Sequence, residues 1–98
     1  MNEMKAHQQN LKTTVKLSLK DALTGCVVDV PTLSGERYRL DHRQAVISPE
    51  TVSKLTGEGL PYPKEASRRG DLLVRYDVRF PASLPAKVKR ALADLLPS

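Results

Sequence analysis

Between Asp71 and Pro81 the chain alternates without interruption. Leu72, Val74, Tyr76, Val78 and Phe80 share one face, and Leu73, Arg75, Asp77 and Arg79 share the other. A period of two kept over this length predicts a strand with one buried and one wet face. A strand cannot stand alone, because its ladder groups and its apolar face both need neighbours. The rest of the chain must therefore supply more strands and a second layer.

Those strands are legible. Leu11, Thr13, Val15, Leu17 and Leu19 alternate with Lys12, Thr14, Lys16, Ser18 and Lys20. Residues 18–24 then read as one helical turn, with Ser18 as cap, Asp21 at the third position and Gly25 ending it in a left-handed conformation. Cys26 to Val30 and Arg37 to Leu40, joined through Pro31 and Ser34-Gly35, predict a hairpin. Residues 46–47 and 51–52 are weaker strand candidates. The stretch Gly57 to Pro63 is rich in turn formers, and Lys64 to Arg69 extends it as a charged loop. The first ten residues are polar and show no period. They read as a disordered leader, residues 1–10, preceding a β-domain over 11–81 and a helix over 82–98.

That last helix carries an apolar stripe. Leu84, Val88, Leu92 and Leu95 recur at helical spacing, Leu96 widens the stripe, and Ser83 is placed to cap it with Pro85 in the first turn. Such a stripe either folds back on its own sheet or meets a partner. A helix this short is marginal without one or the other.

The 98 residues suit one domain with a small core. Aromatic residues are only 4% of the chain, so Leu, Val and Ala must fill that core. No apolar run is long enough to span a bilayer, and the start of the chain lacks the apolar stretch of a secretory signal. Cys26, the single cysteine, fits a reducing setting such as the cytoplasm and reads as a buried structural thiol.

Catalytic signatures are absent. His7 lies in the leader, and His42 sits in a polar loop and reads as a solvated side chain. No serine stands in a nucleophile-elbow motif. The lack of a CxxC pair argues against zinc, and Gly57 and Gly59 lack the Lys-Ser/Thr of a phosphate loop. Asp71 is read as fixing its turn. No catalytic, cofactor-binding or metal-binding residue is therefore assigned. The net charge of +5 favours acidic partners. Tyr38, Tyr76 and Phe80 all fall on expected core faces and only Tyr62 on a loop, which makes base stacking, and hence nucleic-acid recognition, unlikely on physical grounds.

Three ordered stretches carry a resemblance. Residues 18–25 (SLKDALTG) resemble the L-x-x-A-L-x-G turn that opens each C-terminal β-domain of DnaJ-type co-chaperones. Residues 30–35 (VPTLSG) resemble the hairpin that follows it. Residues 57–61 (GEGLP), 69–72 (RGDL) and 78–81 (VRFP) resemble that family's G-E-G-M/L-P, R-G-D-L and V-x-F-P motifs. Ser48-Pro49-Glu50-Thr51 departs from the family's Pro-Gly turn, and Leu60 stands where Met is common.

The resemblance implies the second of two tandem β-domains, in the subclass lacking the zinc-binding insert. The fold it implies is mainly β: a small two-sheet, sandwich-like domain with one short helical turn and a C-terminal helix. It further implies a homodimer contact through Leu84, Val88, Leu92, Leu95 and Leu96. The full-length protein would deliver unfolded client proteins to a DnaK-type chaperone, with no membrane partner. No residue is assigned to client contact. The sequence contains no His-Pro-Asp tripeptide, so this chain alone is not expected to stimulate a DnaK-type ATPase. The rival reading is a basic module that binds acidic peptides or nucleic acid. Salt separates the two, since apolar dimerisation persists in it and phosphate binding falls steeply.

Overall fold

The computed structural model describes residues 4–97. Among these residues the order is β1 (Met4–His7), β2 (Asn10–Ser18), α1 (Leu19–Thr24), β3 (Val27–Pro31), β4 (Arg37–Asp41), β5 (Val52–Leu55), β6 (Pro61–Tyr62), β7 (Glu65–Arg69), β8 (Leu72–Arg79) and α2 (Ala86–Leu95). The fold is mainly β. A four-stranded sheet runs β1-β2-β8-β5, and two separate hairpins, β3-β4 and β6-β7, complete the strands.

The long alternating strand is the internal member of the main sheet. It pairs parallel with β2, from Leu11 opposite Leu72 to Ser18 opposite Arg79, and antiparallel with β5, from Val52 opposite Arg75 to Leu55 opposite Leu72. Parallel neighbours cannot be joined by a tight turn. Everything from α1 to β7 is therefore one long crossover between them.

The alternation predicts the buried face well. Leu11 and Leu17 of β2, Leu72, Val74 and Tyr76 of β8, and Leu55 of β5 meet Ala22 of α1, Val28 and Val30 of β3, and Ile47 of the loop that precedes β5. Arg75 and Asp77 are exposed, as the register requires, and Val78 is half-buried against this core.

Local chemistry sets the ends of α1. The Asp21 N–H donates to Ser18 Oγ at 3.1 Å. Gly25 N–H donates to the Asp21 carbonyl at 3.0 Å. Gly25 has φ 97° but ψ 149°, so the positive φ is as expected while the left-handed helical basin is not used. A Cβ there would stand 2.5 Å from the Arg43 carbonyl oxygen, a second reason for glycine.

Several expectations are corrected. From Met4 onward the stretch read as a disordered leader forms the edge strand β1, with Met4 opposite Thr13 and His7 opposite Asn10. An edge strand is held by its ladder and needs no alternating pattern. Residues 1–3 lie outside the described residues. The segment read as a charged loop contains β7, whose pairing with β6 requires no apolar face. Cys26 lies just before β3 and is half-buried; burial, then the charge of Asp21, pushes its thiol up. Tyr38 and Phe80 are exposed, at 40% and 71%. The strand ends at Arg79, so the parity that buries Tyr76 does not carry to Phe80.

His42 is no free loop side chain. Its Nε2 lies 2.8 Å from Tyr76 Oη, and Ser53 Oγ lies 2.9 Å from the same hydroxyl. Burial raises the Tyr76 phenol above its ordinary value, against the hydrogen bond from Ser53, which lowers it. A raised folded-state value means the protonated phenol favours the fold. The stability it contributes is complete below the unfolded value of about 10 and is lost as pH climbs through the folded one. Urea midpoints measured from pH 9 to 11.5 should therefore fall more steeply for the native chain than for Tyr76→Phe; equal slopes would dismiss the linkage.

Thr13 is the exception on the core face. It is 1% exposed, and among the described residues its hydroxyl has no partner. A buried hydroxyl without a hydrogen bond costs roughly 1–3 kcal/mol. Thr13→Val keeps the shape and removes the cost, so it should raise the melting midpoint by about 4 °C or more. An unchanged or lowered midpoint in calorimetry would mean that the hydroxyl is satisfied.

Candidate functional site

The site lies where the sheet stops. β8 ends at Arg79, and residues 80–85 lead from it to α2. Pro85 is the N-cap residue of α2, with φ −59° and ψ 149°. Ser83 does not cap it, and no side chain does. Proline just before the helix sets the approach through its fixed φ, which leaves Ser83 outside the capping position.

None of the residues of α2 is buried. Its stripe turns toward α1 instead and leaves an open apolar groove of about 560 Å³ between them. α1 supplies Leu19 and Leu23, the end of the sheet supplies Phe80 and Pro81, and the last segment supplies Leu84, Val88 and Leu92. Lys20 and Arg79 also line the groove. Val88 and Phe80 stay well exposed, as do Leu95 at 79% and Leu96 at 48% beyond the groove.

The five residues expected at an interface thus divide in two. Leu84, Val88 and Leu92 come together with the residues of α1. Leu95 and Leu96 continue the same helix without lining the groove. Leu19, Leu23, Phe80 and Pro81 were not read from the sequence as parts of a site. Alternation alone sends Phe80 to the core, and the one available signal is that Pro81 stops the ladder beside it.

The groove presents mainly apolar side chains. Ser18 and Thr24 also line it, but both hydroxyls are engaged by the α1 backbone: Ser18 Oγ accepts from Asp21 N–H and Thr24 Oγ1 donates to the Lys20 carbonyl. Among the described residues no three His, Cys, Asp or Glu side chains gather closely enough to hold a metal ion. No helix among them is long and apolar enough to cross a membrane. Elsewhere the motif residues act as scaffold. Asp71 Oδ1 accepts from Gly57 N–H at 3.1 Å, and Asp71 N–H donates to Asn10 Oδ1 at 2.9 Å. Gly57, at φ 76°, makes the turn.

The fold and the groove define a mainly β module with an apolar cleft at one end of its sheet. The chain belongs to the DnaJ C-terminal domain family, whose model (DnaJ C terminal domain) matches residues 2–81. It is 46% identical over 89 residues, 91% of the chain, to DnaJ protein homolog 1 of Drosophila melanogaster. It is 44% identical over 88 residues, 90% of the chain, to DnaJ homolog subfamily B member 5 of Homo sapiens. Against Protein SIS1 of Saccharomyces cerevisiae it is 38% identical over 81 residues, 83% of the chain. These stretches make up 27%, 25% and 23% of the relatives, so the chain spans about a quarter of their length. It is a co-chaperone module of a non-enzymatic family.

Proposed function

We propose that the chain is the second C-terminal β-domain of a DnaJ-type co-chaperone, with residues 11–81 as the β-domain and 82–98 as a dimerisation segment. Two copies joined through α2 hold two client-binding arms as a clamp, and the full-length protein hands unfolded clients to a DnaK-type chaperone. The half-buried Cys26 thiol agrees with a reducing, cytoplasmic setting.

The observation that carries the reading is the stripe of α2. Leu84, Val88 and Leu92 face a groove that nothing fills, and Leu95 and Leu96 extend the apolar surface into solvent. Water-exposed leucines on a helix with no buried residue are stabilised by a partner, at about 25 cal/mol for each Å² covered. A second copy supplies an identical stripe, so a two-fold contact is self-complementary. One short helix per subunit makes an interface near the lower bound of about 1,000 Å² for stable pairs. The dimer is therefore of moderate affinity.

Sedimentation velocity over a range of concentrations tests this at low and at high salt. The weight-average coefficient should rise toward that of a dimer in both, because apolar burial is not screened. A monomer throughout the range would end the proposal.

A further inference from the structure

The main sheet has a second face, opposite the core. It is exposed along its length: Lys12, Thr14 and Lys16 of β2, Arg75, Asp77 and Arg79 of β8, and Val52 and Lys54 of β5 all point into solvent, with Leu73 half-buried among them. The parallel register brings order to the charges. Lys12 stands level with Leu73, Thr14 with Arg75, Lys16 with Asp77 and Ser18 with Arg79. Taken in sequence along the sheet, Lys12, Arg75, Lys16 and Arg79 form a single zigzag row. Each step advances two residues, about 6.6 Å, while crossing between strands about 4.8 Å apart. The row is about 20 Å long.

One carboxylate interrupts it. Asp77 Oδ2 lies 3.2 Å from Arg79 Nε. Lys54 flanks the row and is drawn toward Asp71 at 3.7 Å. Lys12, Lys16 and Arg75 form no ion pair among the described residues.

We propose that this outer face is a docking track for an extended acidic polypeptide whose carboxylates recur at every second residue. An extended chain places alternate side chains on one side at the same repeat of about 6.6 Å, so successive carboxylates meet successive cations. It shares the right-handed twist of the sheet and stays in register with the row. Tyr38 and Tyr62 lie on other strands, Phe80 lies beyond the end of β8, and β2, β8 and β5 place no aromatic ring on this face, so these three strands offer the bases of a nucleic acid nothing to stack on. The track meets the rim of the α2 groove at Arg79, while Lys12, Lys16 and Arg75 lie outside the groove.

The probe is a short fluorescein-labelled peptide with Glu at every second position and Thr between, titrated with the 98-residue chain at low salt and read by anisotropy. It should bind several-fold more tightly than a peptide of the same composition with its Glu residues contiguous. Lys16→Gln with Arg75→Gln should weaken it by roughly fivefold or more, at the strength of exposed ion pairs. Asp77→Asn should tighten binding by about twofold or more, a gain that no folding defect imitates. Lys87→Gln with Lys89→Gln, on α2, should leave it unchanged. No binding, equal affinity for the two peptides, or insensitivity to the sheet variants overturns the proposal. Tighter binding of oligothymidylate than of the alternating peptide also overturns it, in favour of a phosphate-binding surface.

Discussion

Leu92→Arg should abolish the proposed pairing through α2 and leave a folded monomer. Leu92 is half-buried in the groove, and no residue of α2 enters the core built on Leu72, Val74, Val28 and Val30. A guanidinium in an apolar seam forfeits the roughly 1.5–3 kcal/mol of a buried leucine on each side of a two-fold contact and adds the cost of desolvating a charge. The substitution should therefore weaken the proposed dimer by two orders of magnitude or more. The melting midpoint of the domain, measured well below the dissociation constant, should hardly move. Sedimentation read alongside circular dichroism separates three outcomes. A folded monomer supports the contact, a persistent dimer places it elsewhere, and an unfolded chain assigns the helix to the core. Leu95→Arg is a companion test, since Leu95 is 79% exposed in one copy and its loss costs that copy nothing.

Gly70→Ala should be the most damaging substitution of one methyl group in the molecule. Three backbone segments cross at this point. Leu60 N–H donates to the Gln9 carbonyl, Gly59 N–H to the Gly70 carbonyl at 2.8 Å, and Gly70 N–H to the Leu60 carbonyl at 2.9 Å. A Cβ on Gly70 runs into the Gln9 carbonyl, and one on Gly59 would stand 2.5 Å from the same oxygen. The nearest obstacles are main chain, so no rotamer relieves them, and Asn10 Oδ1 stands 2.8 Å away as well. The crossing also fixes the β1–β2 turn against the start of β8, where Asn10 and Asp71 are bonded. Overpacking that must move backbone costs about 3 kcal/mol or more, which at this size lowers the melting midpoint by roughly 12–24 °C. A midpoint within a few degrees of the native one would show that the crossing yields easily.

These two sites differ in how far the sequence announces them. The strand Leu72 to Arg79, the Ser18 cap and the β3-β4 hairpin are written in local patterns, because periodicity, a hydroxyl before a turn and a Ser-Gly pair act over a few residues. The glycines at 59 and 70 are visible as turn formers, but their reason for being glycine is a crossing with Gln9, far away in sequence. β1 and β7 escape a reading by hydrophobic period because ladder bonds hold them, and β7 leaves nearly all its residues exposed. His42 looks solvated until the fold carries Tyr76 to it across 34 positions. In the groove, the stripe on α2 is legible from helical spacing. Leu19 and Leu23 are not, since nothing local says that α1 will face α2, and Phe80 is misassigned by a parity that ends one residue too soon.

The parallel pairing of β2 with β8 also sets a timetable. Asn10 and Asp71, bonded at its start, lie 61 positions apart. A ribosome adding about 5–20 residues each second needs roughly 3–12 s to make that span. For those seconds β2 has β1 as its one ladder neighbour, and its other edge is open. Hydrophobic collapse takes microseconds, so a nascent chain has ample time to meet the wrong strand. Lys12 and Lys16, facing outward from that strand, repel another copy during the wait. The module therefore passes through an exposed condition of its own on the way to the native state.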